Sequence, residues 1–294
     1  MLFDMKKIFF LSIMALLMVS CHQKTAGNAP KEQTGQTTQA TQAVEVAPMP
    51  TAPLGTPQNP IRLEEGKPVD FSFMGNPQAQ SFEQRAASHI DTIRACAERG
   101  DLNSMYLYGT CYEYGFGVEK DYAQALSWYR KAAEGGQKNA FGSIAGLYRN
   151  GNGVPADPKK SFEWFTKGAE VGDDNSMLCL GNCYYTGFGV EEDRDKAVYW
   201  WNAAAEQGNG FALSQMGDVY YGGIGVKPDL EKAVDYYQQA VEKNVSNAQF
   251  RLGVLTFYGK GVAKDETYAK LLMLKARDAG MVEAQDFLDK HFPK

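Results

Sequence analysis

The chain has 294 residues and a net charge of −5. No block of Lys or Arg follows Lys6-Lys7, so the electrostatic footprint of a nucleic-acid binder is missing and no nucleic-acid partner is expected. Residues 1–20 are apolar and 22–60 are polar and low in complexity. The rest is aromatic-rich and long enough to bury a sizeable core.

Read from Met5, the chain opens Met-Lys-Lys and runs on through the apolar stretch Ile8–Val19. That stretch is shorter than the ~20 residues of a comfortable membrane span, and its order, base then apolar, is that of a secretory signal. Met1–Asp4 adds an acid ahead of it, so Met5 is the better start for such a signal. The stretch ends Leu17-Met18-Val19-Ser20-Cys21. This resembles a bacterial lipobox, with Met18 where Leu is usual. The resemblance implies a signal peptide over 1–20, cleavage before Cys21 and acylation of that cysteine. The product is an exported protein attached to the lipid bilayer through Cys21, with no spanning helix; a plain signal cleaved nearby is the alternative. More than one acyl chain makes such anchoring stable. Nothing around His22 selects inner or outer membrane, or the face.

From His22 to about Pro60 the chain is dominated by Thr, Gln, Ala, Pro and Gly. It has too little apolar surface to offset the entropy of ordering. Residues 21–75 are therefore expected to act as a flexible tether. Ile61–Gln80 is intermediate in composition, and Phe71, Phe73 and Met74 are candidates for docking on the folded part.

The rest is periodic. Gly-x-Gly-Val occurs with its first glycine at Gly115, Gly151, Gly187, Gly223 and Gly259, 36 residues apart each time, and five copies at one spacing mean an internal repeat. An acid follows at a fixed distance: Asp121, Asp157, Asp193, Asp229 and Asp265. Each is a natural N-cap, and Pro158 directly after Asp157 suits a first helical position. Small residues at Ala125 and Ala132 flank the pair Trp128-Tyr129, and the pattern recurs as Trp164-Phe165, Trp200-Trp201, Tyr236-Tyr237 and Leu272-Met273. These offsets form one helical face. The helix is expected to end near Gly136, Gly172, Gly208, Asn244 and Gly280, residue types that tolerate a left-handed C-cap.

Another helix precedes each glycine motif. It is expected to start at Asn103, Asn139, Asn175, Phe211 and Asn247, with the asparagines as caps. Its mid-helix position is small: Gly109, Ala145, Gly181, Gly217 and Gly253. Glycine there costs up to ~1 kcal/mol against Ala, and its recurrence points to close helix–helix approach. Each unit is thus a helix, a glycine-containing loop and a helix. One hairpin cannot bury both faces, so the units must stack. The fold class is all-α: an α-solenoid of five 36-residue helix-turn-helix repeats over 103–280. A capping half-repeat is expected over 76–102 and a closing helix over 281–294.

The third copy carries Leu180-Gly181, Tyr184, Gly187-x-Gly189-Val190, Asp193, Lys196-Ala197, Trp200 and Ala204. In these residues the chain resembles the Sel-one-like repeat family, relatives of the tetratricopeptide repeats. The resemblance covers about three-fifths of the chain. The fifth copy departs most, with Thr256 for Tyr and Leu272 for Trp. It implies an adaptor with a curved surface that binds a protein or peptide, expected to act as a monomer. In the related tetratricopeptide fold the first helices line the concave face. Carried over, this places a candidate groove at Tyr106, Glu113, Arg149, Asn182, Tyr185, Asp218, Tyr221, Phe250 and Phe257, in rows shared with Thr110, Leu178, Val254, Tyr114 and Tyr258.

No catalytic group, metal or cofactor is expected. His22, His89 and His291 lie in the tether and the two end regions with no shared motif. The glycine motifs follow no strand and precede no Lys-Ser/Thr, so they are turns rather than phosphate loops. Cys96, Cys111, Cys179 and Cys183 do not recur at one pair of repeat positions. A disulfide is open to them in the envelope, but Cys179 and Cys183 stand four apart on one helix, a poor geometry for linkage, and all four read as small buried hydrophobes. The leading expectation is a membrane-tethered adaptor in the bacterial envelope. The alternative is a regulator or inhibitor of a cell-wall enzyme. A remote third is an enzyme acting on cell-wall or β-lactam substrates, which no residue pattern favours.

Overall fold

The computed structural model describes residues 61–63, 67–69 and 87–293. The expected signal, Cys21, the Gln/Thr/Pro-rich stretch and Phe71, Phe73 and Met74 lie outside the described residues. The described residues fall into two units, one holding 61–63 and 67–69 and the other 87–293.

In the first unit, strands β1 (Ile61–Leu63) and β2 (Lys67–Val69) pair antiparallel, with Ile61 opposite Val69 and Leu63 opposite Lys67. This short ribbon falls inside the segment expected to be tether and is the one addition to the all-helical reading among the described residues. Its apolar residues alternate at Ile61 and Leu63, the period of a strand.

The second unit holds twelve described helices: α1 (Ile90–Glu98), α2 (Leu102–Tyr114), α3 (Tyr122–Glu134), α4 (Lys138–Asn150), α5 (Pro158–Glu170) and α6 (Asp174–Thr186). They continue with α7 (Arg194–Glu206), α8 (Gly210–Gly222), α9 (Leu230–Glu242), α10 (Ser246–Tyr258), α11 (Glu266–Asp278) and α12 (Val282–His291). The even helices α2 to α10 open the five repeats and the odd helices α3 to α11 close them. Each helix packs on the one before and the one after it, and successive first helices also touch, α4 on α6 and α8 on α10. This is the α-solenoid of the sequence reading. The first helices make up one layer of the stack and the second helices the other.

The termini explain the register. Asp121, Asp157, Asp193, Asp229 and Asp265 each accept first-turn N–H groups, for example Lys196 N–H to Asp193 Oδ1 at 2.9 Å. The caps of the first helices differ from the expectation. They are Asp101, Gln137, Asp173 and Asn209, two residues ahead of the asparagine positions, and Val245 in the fifth repeat caps without a side-chain bond. The reason is the shortness of the link. A left-handed residue, Gly100, Gly136, Gly172, Gly208 or Asn244, is followed at once by the capping residue. Asn103 and its counterparts therefore fall inside the first turn.

The second glycine of each motif is fixed twice over. Gly189 has a φ of +73°, and a Cβ there would strike the carbonyl of Pro158 at the start of the preceding repeat's second helix. The loop thus lies flat on its neighbour and sets the stacking distance.

The core runs along the stack. Tyr129, Phe165, Trp201, Tyr237 and Met273 are all buried. A single apolar cluster spans Ala145 to Leu272. Smaller ones seal the ends, with Ile93 and Ala97 of α1 against Tyr108 at one end and Ala284 and Leu288 of α12 against Met273 at the other. The two capping helices expected from sequence are in place. Of the large pairs, the first members Trp128, Trp164, Trp200 and Tyr236 are only half-buried; Lys131 and Lys167 lie 4.1 and 4.5 Å from the Trp128 and Trp164 ring centres.

Candidate functional site

The two layers differ in charge. The five first helices carry six charged side chains, Glu113, Lys138, Arg149, Asp174, Asp218 and Arg251. The five second helices, of the same length, carry 21. All 16 tyrosines lie in these ten helices, ten of them on the first helices. A first-helix layer depleted in charge and rich in tyrosine has the composition of a protein interface.

Within each first helix, four positions spaced three, four and three apart form one stripe. In α6 they are Asn175, Leu178, Asn182 and Tyr185; in α8, Phe211, Ser214, Asp218 and Tyr221. The third position of the stripe does a structural job as well. Trp201 Nε1 donates to Asn182 Oδ1 at 3.0 Å and Tyr237 OH to Asp218 Oδ1 at 2.7 Å. Tyr129 OH donates to Thr110 Oγ1 at 3.1 Å and to Glu113 Oε2 at 2.7 Å. Where the buried aromatic or sulfur residue has no polar tip, Phe165 and Met273, the stripe position is Gly146 or Val254. A polar tip in the core is thus matched by a polar group on the face, as a buried donor requires.

The expected groove residues divide by exposure. Tyr185 and Tyr221 are 40% and 44% exposed, and Arg149 is exposed. The Tyr185 ring rests on Trp201 with centroids 5.3 Å apart. Asp218 is half-buried and lies 3.4 Å from Arg251 Nε, across from α8 to α10. Tyr106 is buried, its ring 5.5 Å from that of Tyr129, and burial pushes its hydroxyl up to about 12. Phe250 packs into the C-terminal cluster, and Phe257 meets Phe287, His291 and Phe292 at 5.2, 4.8 and 5.6 Å. The stripe is therefore filled by its own side chains in the first repeat and covered by α12 in the fifth, and it lies open in the third and fourth. Phe211, 41% exposed at the head of the α8 stripe, was missed by sequence reasoning. The signal was there, since it stands where the other four repeats have Asn.

The remaining titratable groups give no catalytic constellation among the described residues. His89 and His291 sit at opposite ends of the stack, and no cluster of metal-ligating side chains occurs among the described residues. Cys96, Cys111, Cys179 and Cys183 are free thiols. Burial pushes Cys111 and Cys183 up to about 12 and Cys179 to about 11, which keeps them protonated and poorly nucleophilic. Among the described residues no helix is long and apolar enough to cross a membrane.

The Sel1 repeat family profile matches residues 102–137, 144–173, 175–209, 210–245 and 246–281. The chain is a Sel1-repeat protein. The five matched segments follow the five hairpins of the structure, and Sel1 repeats generally mediate protein–protein interaction. Among solved structures, the Sel1 repeat protein of Oxalobacter formigenes is 30% identical, with a TM-score of 0.63, over 71% of this chain and 90% of that one. A protective antigen of uropathogenic Escherichia coli with an SLR fold is 31% identical, with a TM-score of 0.61, over 75% of this chain. The match spans about half, 47%, of the antigen's length. An immunity protein of Pseudomonas aeruginosa shares the fold at 21% identity and a TM-score of 0.50, over 78% of this chain and 90% of that one. No curated protein matches the chain.

Proposed function

We propose that this Sel1-repeat protein is a lipid-anchored scaffold of the bacterial envelope that holds a partner protein on the open first-helix face of its third and fourth repeats. The observation that carries the reading is the contrast between layers: six charges on the first helices against 21 on the second, with Tyr185, Tyr221 and Phe211 exposed on the charge-poor side. Aromatic side chains give large contact area for few frozen rotors, and charges are depleted where an interface core forms.

The anchor is assigned to Cys21. Supporting it are the Lys6-Lys7 pair, the apolar run after it and the Leu17-Met18-Val19-Ser20-Cys21 sequence. The low-complexity stretch to Pro60 then serves as a spacer between bilayer and repeats. A spacer of this kind raises the local concentration of the repeats near membrane-bound partners.

Two measurements test the reading. Metabolic labelling with a palmitate analogue is expected to mark the wild-type chain and not Cys21→Ser, and the variant is expected to leave the membrane fraction. Affinity capture from solubilised membranes is expected to retain one or a few proteins that Tyr185→Ala/Tyr221→Ala loses. Capture unchanged by those two substitutions removes the face assignment.

A further inference from the structure

We infer that Arg149, at the edge of the open face, takes an acidic side chain of the docked partner, with the Asn182 amide as a further donor. The inference rests on the docking face proposed above and names a residue type that must dock there.

Charge balance singles out Arg149. The other five charged side chains of the first helices are answered inside the stack. Glu113 accepts from Tyr129, and Asp174 Oδ2 accepts from Asn209 Nδ2 at 2.9 Å. Asp218 and Arg251 lie 3.4 Å apart. Burial raises the Asp173 carboxyl, and the Lys138 charge lowers it. Arg149 has neither ion pair nor hydrogen bond among the described residues. It is exposed, on a layer depleted in charge, so little nearby cancels its field.

Its surroundings add a matching donor. Helix α4 packs on α6. Burial raises the thiols of Cys179 and Cys183 on α6, and the Arg149 charge lowers both. The guanidinium therefore lies beside the turn of α6 from Cys179 to Cys183, and Asn182 stands within that turn. Trp201 Nε1 is a donor only, so its bond fixes the Asn182 amide with Oδ1 toward Trp201 and Nδ2 turned away. That Nδ2 donates to nothing among the described residues. Gly146, one turn before Arg149, keeps the approach clear. A Cβ there would meet nothing within 4 Å, whereas the other repeats carry Thr110, Asn182, Asp218 and Val254 at this position.

A carboxylate fits this set of donors. It only accepts, it takes two parallel bonds from a guanidinium fork, and such charge-assisted bonds are roughly twice as strong as neutral ones. The whole chain carries a net charge of −5, so its overall field repels acids. A preference for an acidic peptide must then be local.

The test uses the full chain, extracted from membranes in mild detergent, and pools of short synthetic peptides that share a central Glu, Gln or Lys, with the flanking positions randomised. The immobilised chain is expected to retain the Glu pool about tenfold better than the Gln pool, and the Lys pool least. Arg149→Gln is expected to erase the difference. Arg149→Lys is expected to keep part of it, since the charge stays and the fork goes. Both variants are expected to unfold at the wild-type midpoint, because Arg149 has no partner inside the stack. Pools retained alike by the wild-type chain, or a Glu preference that survives Arg149→Gln, overturn the assignment. So does Arg149-dependent binding of the Cys21→Ser chain to phosphatidylglycerol vesicles without discrimination among the pools, since the cation then answers a lipid headgroup. Capture from solubilised membranes separates the inference from the reading beneath it. Loss with Tyr185→Ala/Tyr221→Ala and also with Arg149→Glu supports both. Loss with the tyrosine changes alone keeps the face and removes the acid. Capture indifferent to all three positions removes the face and the acid with it.

Discussion

Two glycine-to-alanine changes on equivalent helices are expected to move stability in opposite directions. Gly146 of α4 and Gly181 of α6 both lie in helix interiors with negative φ. Intrinsic propensity favours Ala over Gly by ~1 kcal/mol in either place. At Gly146 an added Cβ meets nothing within 4 Å, so the full gain is realised. At Gly181 the same atom lands 2.5 Å from Trp201 Cδ1, 2.6 Å from Nε1 and 3.1 Å from the carbonyl of Ala197. The Trp201 ring is buried, and Asn182 holds its N–H on one side. It cannot yield without breaking that bond, and overpacking of this kind costs ~1–3 kcal/mol. The net effect of Gly181→Ala is a loss of up to ~2 kcal/mol. For a folded part of this size 1 kcal/mol moves the midpoint by ~2–4 °C. Thermal unfolding followed by circular dichroism is expected to raise the midpoint for Gly146→Ala and to lower it for Gly181→Ala. Because the Tyr185 ring rests on Trp201, the second change is also expected to weaken partner capture. A rise in both midpoints would refute the close-approach reading of the mid-helix glycines.

Asp173 supplies a pH test. Burial raises its carboxyl from 3.8 to about 6, against the lowering effect of hydrogen bonds from Ser176. Between those values the folded state binds more protons than the unfolded one, so stability falls as pH rises from about 4 to about 6 and is level above. Asp173→Asn, which keeps an oxygen for the Ser176 N–H as Asn209 does for its own helix, is expected to abolish that fall. At pH 7 it gains up to ~3 kcal/mol; midpoints that coincide with wild type across pH 4–7 contradict this. Thiol accessibility supplies another test. In Cys21→Ser at pH 8, Cys111, Cys179 and Cys183 are expected to react with Ellman's reagent only after denaturation, because burial holds their protons. Rapid reaction of the native chain speaks against the packing described.

The scaffold was readable because each conspicuous residue answers a local demand. Asp193 caps a helix whose first N–H groups have no other partner, and Gly189 occupies a left-handed turn pressed on a neighbour's backbone. Such demands recur every 36 residues and leave a periodic trace. The caps of the first helices were misplaced by two residues because Asn103, Asn139, Asn175 and Asn247 form a more regular row than the true caps Asp101, Gln137, Asp173, Asn209 and Val245. The open part of the face was harder to see. Tyr106 and Tyr185 are aromatic and each lies on the stripe, yet one is buried and the other exposed. The difference comes from place and neighbours: Tyr106 is second on its stripe, against Tyr129 and hydrogen-bonded with Ser143 of the next repeat, whereas Tyr185 is last on its own. The pairing of Trp201 with Asn182, and of Tyr237 with Asp218, was legible in principle. A polar tip in the core at one position demands a polar group 19 residues earlier, and Phe165 with Gly146 is the exception that fits.

The central claim is that a partner docks on the first-helix face. The most direct test is photo-crosslinking in the intact envelope, with p-benzoylphenylalanine placed at position 185 or 221 on that face and at 199 or 235 on the opposite one. The account predicts one crosslinked adduct of constant mass from 185 and 221 and none from 199 and 235. Adducts from 199 and 235 with none from 185 and 221 would contradict it.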